Sequence, residues 1–233
     1  VNGQIRFYVW VPKTLQSFVE GQIYSQYPTV QIHQADEDYT EHERDHEVAY
    51  STELTLTTDE FLPIRTFQNF EVDPLAGITG TLAKLETTGE ELWIQVLVRP
   101  IPDDWQNAAD RYINSIKNGR MFSLPGFGGS MQWLIGVLGA LWQPPEQGAN
   151  QSTAVELSDR DKTRISEAEK KATKLGYEVK IRLVYMGESN TNAKLRMQAL
   201  VGTFKQFNST NLNGFRTVKG AFSKEFLEKY RKR

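Results

Sequence analysis

The feature that most constrains the fold is the run of residues 62–100, LPIRTFQNFEVDPLAGITGTLAKLETTGEELWIQVLVRP. Asp73-Pro74 predicts a helix start, because the carboxylate can accept hydrogen bonds from free backbone N–H groups and proline fits the first helical position. The inward side of this helix carries Leu75, Ile78, Leu82 and Leu85. Gly89 is predicted to end it. The strand at 92–98 is apolar on both faces, which favours a central, covered place in a sheet.

Residues 5–98 as a whole predict the order β-α-β-β-α-β. Residues 5–11 alternate apolar and other side chains as a strand with one buried face does. Apolar residues recur at helical spacing in 13–27, and a short extended piece at 30–33 and a loop at 34–46 follow. A second alternating strand is predicted at 48–57. Together with the helix and strand of 62–100, this order is typical of a ferredoxin-like sandwich.

The rest of the chain predicts a second α/β sub-region. A helix is expected at 103–118, a helix capped by Ser158, a strand at 178–186 and a helix at 192–207, with a short strand at 215–218 and a short basic helix at 223–230. The order helix, glycine, strand, helix thus occurs twice, at 75–117 and 159–207, which is consistent with a duplication. The second sub-region either stands alone or completes the first sheet.

The predicted fold class is α+β, with three segments in the domain plan. Residues 1–119 form a ferredoxin-like sub-domain, 120–156 an apolar, Gly- and Pro-rich linker, and 157–233 a second α/β sub-domain with a basic C-terminal helix. Residues 1–150 carry a net charge of −11, and residues 151–233 carry +9. This asymmetry indicates two sub-regions with different partners, two that attract each other, or solvated surfaces of two kinds.

The composition and the motifs argue against an enzyme. The chain has no cysteine, so it has neither a disulfide nor a thiolate metal site. His42, Glu43 and His46 match H-E-x-x-H, but their polar flanks offer no apolar face for a zinc-binding helix. We interpret them as a surface loop, with adventitious metal binding and a metal hydrolase around His42 and His46 as the alternatives. Phosphate-binding and serine-hydrolase motifs are missing, and we expect no catalytic residue, metal or cofactor.

Two segments are candidate interaction sites. The first is the apolar part of the linker at 121–143, where the residues selected are Phe127, Trp133, Leu134, Leu138 and Trp142. Its uninterrupted apolar core is too short to span a bilayer, for which about 20 residues are needed. The segment therefore packs on this protein or on a partner subunit, or else lies at a membrane interface.

The second candidate site is the basic C-terminal stretch, represented by Lys219, Lys224, Lys229 and Arg231. Lysine and arginine interleaved with aromatic residues could contact nucleic acid or anionic lipid. The alternative is a solvated amphipathic helix that leads into a following domain. The first residue is Val1, and we expect the chain to be a segment of a longer protein.

Several runs resemble an accessory domain found ahead of the motor in ATPase-like proteins of conjugation and type IV secretion. They are IRFYVWVPKTLQSFVEGQIYSQYPTVQI at 5–32, RTFQNFEVDPLAGITGTLAKLETTGEELWIQVLVRP at 65–100, and GYEVKIRLVYMG with ALVGTFKQFN within 176–208. The resemblance implies a non-catalytic docking or assembly domain on the cytoplasmic face of the inner membrane, with secretion subunits as partners. No catalytic residue of that family has a counterpart here. A nucleic-acid-contacting module is the alternative.

Overall fold

The computed structural model describes residues 4–41, 48–85, 89–117, 157–187, 190–218, 228 and 230–232. Their α-helices are α1 (Gln16–Gln26), α2 (Leu75–Leu82), α3 (Asp104–Lys117), α4 (Asp159–Ala172) and α5 (Asn190–Phe204). Their strands are β1 (Val48–Leu56), β2 (Glu91–Pro100), β3 (Tyr177–Gly187) and β4 (Phe215–Thr217). Residues 228 and 230–232 are also helical. The predicted α+β class is confirmed.

The strands form one four-stranded sheet in the order β2-β3-β1-β4, with every neighbouring pair antiparallel. In the shared register, Leu54 of β1 lies opposite Ile181 of β3 and Thr217 of β4. It follows that β1 and β2 run parallel to each other with β3 between them, and that β3 and β4 run parallel with β1 between them. These are the two split β-α-β units of a ferredoxin-like sheet.

The β-α-β-β-α-β order was predicted for the wrong residues. Residues 5–11, predicted as the first strand, have no regular secondary structure, and neither do residues 30–33. The pattern instead runs from β1 through α2 and β2, then from β3 through α5 and β4, with α3 and α4 between the two units. The region after residue 157 thus completes the sheet of the first region, one of the two arrangements that the sequence left open. The duplication stays a prediction.

The prediction that β2 is central is also wrong. Among the described strands β2 lies at the edge of the sheet, and β3 occupies the inner position. Its apolar content on both faces has a different cause, because Trp93 is covered by aromatic side chains from distant segments while Val96 and Val98 are exposed. An apolar two-faced strand therefore does not have to be flanked on both sides.

Both predicted helix starts are confirmed at the atomic level. The Asp73 carboxylate accepts a hydrogen bond of 2.8 Å from the backbone N–H of Leu75, the first residue of α2. Ser158 accepts one from the backbone N–H of Asp161 and donates its hydroxyl to the Asp161 carboxylate at 2.6 Å. Helix α2 ends earlier than predicted, at Leu82, and Gly89 instead adopts a left-handed φ of 81° just before β2.

Two apolar clusters account for most of the buried residues. The main one lies between one face of the sheet and helices α2 and α5, and we call this side the helix-covered face. Its buried members are Leu54, Ile78, Leu183, Tyr185, Ala193, Met197, Leu200 and Phe204. The second cluster joins α3 to α4 through Ala109, Ile113, Ile165 and Ala168, together with Phe61 and Leu62 from the loop after β1.

Candidate interaction surface

The most exposed apolar part of the described chain is residues 4–30, which we call the N-terminal arm. Phe7 is 81% exposed, Trp10 66% and Phe18 65%. Helix α1, which occupies the second half of the arm, contains no buried residue. An isolated helix of this length is marginal in water. A surface with this many large exposed apolar side chains is typical of a protein that contacts something else.

The arm is shaped by two prolines. Pro12, with φ −54° and ψ 139°, precedes a short 3₁₀ turn, Lys13–Leu15, that leads directly into α1. Pro28 follows Tyr27, whose φ of −131° and ψ of 76° are outside the helical region. A residue before proline is sterically driven out of the helical region, so α1 ends there. The prediction of a helix within 13–27 is confirmed, although its apolar residues do not reach the core.

Four aromatic residues connect the arm to the sheet and to the C-terminal residues, and we call them the aromatic cluster. Tyr8 stacks on Tyr39 with ring centroids 4.8 Å apart, and Tyr39 meets the edge of Trp93 at 5.3 Å. Trp93 lies 5.5 Å from the ring of Tyr230. The hydroxyl oxygens of Tyr39 and Tyr230 are 3.0 Å apart and hydrogen-bonded. Residues from four distant segments thus meet on the side of the sheet opposite α2 and α5.

Tyr230 is the most deeply buried member of the cluster. Its side chain is fully buried and packs with Val184 and Met186 of β3. Its backbone carbonyl accepts a hydrogen bond of 3.1 Å from the amide of Gln95 on β2. The C-terminal residues are therefore attached to the sheet both by an aromatic ring and by the backbone.

A row of polar side chains lies beside the aromatic cluster on the same side of the sheet. The Arg182 guanidinium donates to the Glu53 carboxylate at 3.4 Å and to the Gln95 side-chain oxygen at 3.3 Å. The Arg182 side chain is 11% exposed and that of Glu53 27%. A largely buried charge needs a partner, and this row supplies one. We call this side of the sheet, with its aromatic cluster and polar row, the aromatic face.

A second exposed apolar patch lies in the loop before α2. Phe67 is 74% exposed and Val72 72%. The loop itself is fixed, since Arg65 donates to the Asn69 carbonyl, stands 4.5 Å over the Phe70 ring, and has its backbone N–H bonded to Phe207. The outward apolar residues are therefore held on a defined support.

The loop after β1 is organised by the amide side chain of Asn213, which is 1% exposed. Its oxygen accepts from the backbone N–H groups of Thr57, Thr58 and Gly214. Its nitrogen donates to the carbonyls of Asp59 at 2.8 Å and Leu62 at 3.1 Å. One side chain thus joins the end of β1, the start of β4 and the loop that packs on α3 and α4.

Two groups of the described residues have a shifted pKa, and both lie in the α3–α4 pair. Burial raises the pKa of the Tyr112 phenol above its ordinary value, and the neighbouring Arg164 partly opposes the shift. Burial lowers the pKa of Lys171, whose ammonium donates to the Glu60 carbonyl. Burial in the packing between α3, α4 and the loop after β1 therefore accounts for both pKa shifts.

Most of the interaction residues chosen from the sequence lie outside the described residues. These are Phe127, Trp133, Leu134, Leu138 and Trp142 of the linker, and Lys219, Lys224 and Lys229 of the basic stretch. Arg231 is described and exposed, next to the buried Tyr230. The residues of the H-E-x-x-H match also lie outside the described part of the chain.

Two features are absent from the described residues. Within them, no group of three or more His, Cys, Asp or Glu side chains could hold a metal ion. None of the helices in that same part of the chain is long and apolar enough to cross a bilayer. The apolar segment at 121–143, a predicted interaction site, lies outside the described residues.

Sequence reasoning missed the aromatic cluster and the exposure of the arm. Tyr8, Tyr39, Trp93 and Tyr230 have no common local spacing, and their contacts join segments that are distant in sequence. The usable signal was Trp93, an apolar residue on the second face of its strand, which required some covering group.

Comparisons with known proteins place the chain in a family without assigning it an activity. No curated protein and no solved structure matches it. The model of a family described as a domain of unknown function, DUF8128, matches residues 1–231. The chain therefore belongs to the DUF8128 family.

Proposed function

We propose that this protein is a non-catalytic docking or assembly domain of a conjugation-like type IV secretion protein. It would work as part of a longer protein at the cytoplasmic face of the inner membrane, through contacts with other subunits. The observation that carries the proposal is the N-terminal arm, where Phe7, Trp10 and Phe18 are largely exposed and α1 contains no fully buried residue. Such a surface is costly to keep in water without a partner.

Two further features support a docking role. The exposed Phe67 and Val72 stand on a loop fixed by Arg65, and a rigid support lowers the entropic cost of binding. Both the arm and this loop fall within the runs that resemble the accessory domain of conjugation ATPase-like proteins, residues 5–32 and 65–100. The resemblance suggests the class of assembly, a conjugation or type IV secretion system. The exposed side chains are the proposed contact surface.

Site-specific photo-crosslinking tests the proposal. A photoreactive phenylalanine analogue replaces Phe7 or Phe18 in the full-length parent protein, expressed in cells that carry a conjugation apparatus. Tyr177 is the matched control, because it is an exposed aromatic residue on the sheet, away from the arm. We expect crosslinks to a secretion subunit from Phe7 and Phe18 that are absent from Tyr177. Equal crosslinking at the three positions, or none at Phe7 and Phe18, would contradict the docking role.

The membrane-proximal part of the proposal has its own test. The apolar segment at 121–143 would lie at the membrane interface, with its aromatic residues at headgroup level. Flotation with anionic vesicles compares the wild-type chain with a 121–143 deletion. Reduced flotation of the deletion variant supports membrane contact, and equal flotation rejects it.

The alternative function is contact with nucleic acid through the basic C-terminal region. It is favoured by the net charge of +9 in residues 151–233 and by the exposure of Arg231 and Lys232. Phosphate contacts make affinity fall steeply with salt, so a DNA titration at several salt concentrations tests it. Affinity that falls with salt and weakens in Arg231→Ala would favour this function, and undetectable binding would remove it.

A further inference from the structure

The N-terminal arm and the C-terminal residues both contact Tyr39 on the aromatic face of the sheet. On the arm side, Tyr8 stacks on Tyr39. Tyr39 in turn contacts Trp93 and bonds to the hydroxyl of Tyr230. Tyr8 and Tyr230 are therefore linked through the rings of Tyr39 and Trp93.

Tyr230 is attached to the sheet more firmly than Tyr8. Tyr230 is fully buried and bonded through its carbonyl to Gln95, whose side-chain oxygen accepts from Arg182. Tyr8 is 49% exposed, and α1 beyond it contains no buried residue. The arm is thus the part that leaves the sheet at the smaller cost, and Tyr230 is, with Trp93, one of the groups that hold the Tyr39 ring.

We propose that the C-terminal residues control the position of the N-terminal arm through the aromatic cluster. With Tyr230 seated on the sheet, Tyr39 is fixed and provides the surface on which Tyr8 stacks. When Tyr230 is displaced, Tyr39 loses this hydrogen bond, its ring is held less firmly, and the arm is released. A pull or a binding event at the C-terminal residues would then change how Phe7, Trp10 and Phe18 are presented.

This coupling deepens the proposed docking role by giving it a means of regulation, but it needs no partner to be observed. It is a property of the chain alone, a two-state element that the C-terminal residues bias. The crosslinking test above can therefore fail while the coupling stands, and the reverse also holds.

Distance measurement by pulsed electron resonance tests the coupling, and the absence of cysteine makes the labelling specific. Spin labels are placed at Gln22→Cys on α1 and Lys194→Cys on α5, both exposed positions. We expect one narrow distance distribution in the otherwise wild-type chain. Tyr230→Phe removes one hydroxyl bond and should raise the released population roughly fivefold, the factor for one hydrogen bond. In Tyr230→Ala the longer, broader component should dominate.

The matched control is Tyr185→Phe on the opposite face of the sheet. Tyr185 is also fully buried, and its hydroxyl donates to the Glu90 carboxylate at 2.7 Å. This variant loses a hydroxyl bond to a carboxylate, which is at least as strong, on the face of the sheet opposite the aromatic cluster, and should leave the distance distribution unchanged. An arm that stays in place in a cooperatively folded Tyr230→Ala would overturn the proposal, as would an equal change in Tyr185→Phe. If Tyr230→Ala does not fold, Tyr230→Phe decides.

The proposal also predicts that a change in the arm affects the C-terminal residues, because coupling between two sites acts in both directions. Spin labels at Arg231→Cys and Lys194→Cys report the C-terminal residues, both being exposed. Tyr8→Ala, which removes the stacking partner of Tyr39 from the arm, should broaden that distribution. An unchanged distance distribution in Tyr8→Ala would show that the arm does not affect the C-terminal residues, and it would contradict the proposal.

Discussion

The two faces of the sheet are closed in different ways. The helix-covered face is packed by α2 and α5, whose buried aliphatic residues meet those of β1 and β3. The aromatic face is covered by Tyr39 and Tyr230, side chains distant in sequence from the strands, next to a row of polar groups. The first kind of closure depends on an extensive apolar cluster of the fold's own helices and strands, and the second depends on a few specific contacts. The helix-covered face should therefore contribute more of the stability, and the aromatic face should be the easier one to open.

The largest expected effect is on the helix-covered face. Leu200 of α5 is fully buried in the main apolar cluster. Leu200→Ala should lower the free energy of unfolding by about 2–5 kcal/mol, the usual cost of a cavity in a packed core. Urea denaturation followed by circular dichroism measures it. A loss below about 1 kcal/mol would mean that this face does not carry the stability assigned to it.

The next effect concerns Asn213, which joins the strand ends to the loop that packs on α3 and α4. Asn213→Asp keeps an acceptor for the backbone N–H groups but has no donor for the carbonyls of Asp59 and Leu62. We expect a loss of roughly 2–4 kcal/mol, since each buried group left without a partner costs about 1–3.

Asn208→Asp is the matched control for that substitution. Asn208 also accepts from a backbone N–H, that of Phe215 at 2.7 Å, but it is exposed and its amide donates only at 3.5 Å. Its replacement should cost much less in the same urea experiment. Equal losses at the two positions would show that burial of the Asn213 network is not what matters.

A smaller effect is expected from the polar row of the aromatic face. Glu53→Gln removes the charge that faces the largely buried Arg182 and should cost about 1.5–3 kcal/mol. Glu178→Gln breaks the ion pair with Arg99, where both side chains are well exposed, and should cost at most about 1 kcal/mol. Both are measured by urea denaturation. If both variants lose the same free energy of unfolding, the Glu53–Arg182 pair contributes no more to stability than an exposed ion pair.

Prediction from the sequence worked where a pattern is local. The caps at Asp73 and Ser158 were predictable because a cap depends on residues two or three positions away. Strand β1 was predictable for the same reason, since its alternation reflects a covered and a less covered face. Local patterns thus located most helices and strands of the described chain.

Prediction failed where the outcome depends on which strands meet. Residues 5–11 alternate as a strand does, yet none of the described strands pairs with them, and an alternating pattern cannot supply a neighbour. Strand β2 was predicted to be central because its two faces are apolar, whereas Trp93 is covered by Tyr39 and Tyr230. The aromatic cluster was out of reach for this reason, because its members come together only through long-range pairing.

Amide hydrogen exchange on the wild-type chain tests the central claim most directly, namely that a stable sheet and helix layer carries a loosely attached arm. Amides of β3 and α5 should be the slowest to exchange, since they lie in the main apolar cluster. Amides of α1 should exchange faster by on the order of a thousandfold or more, because the helix has no fully buried residue and opens without unfolding the core. Protection of α1 equal to that of α5 would contradict the account.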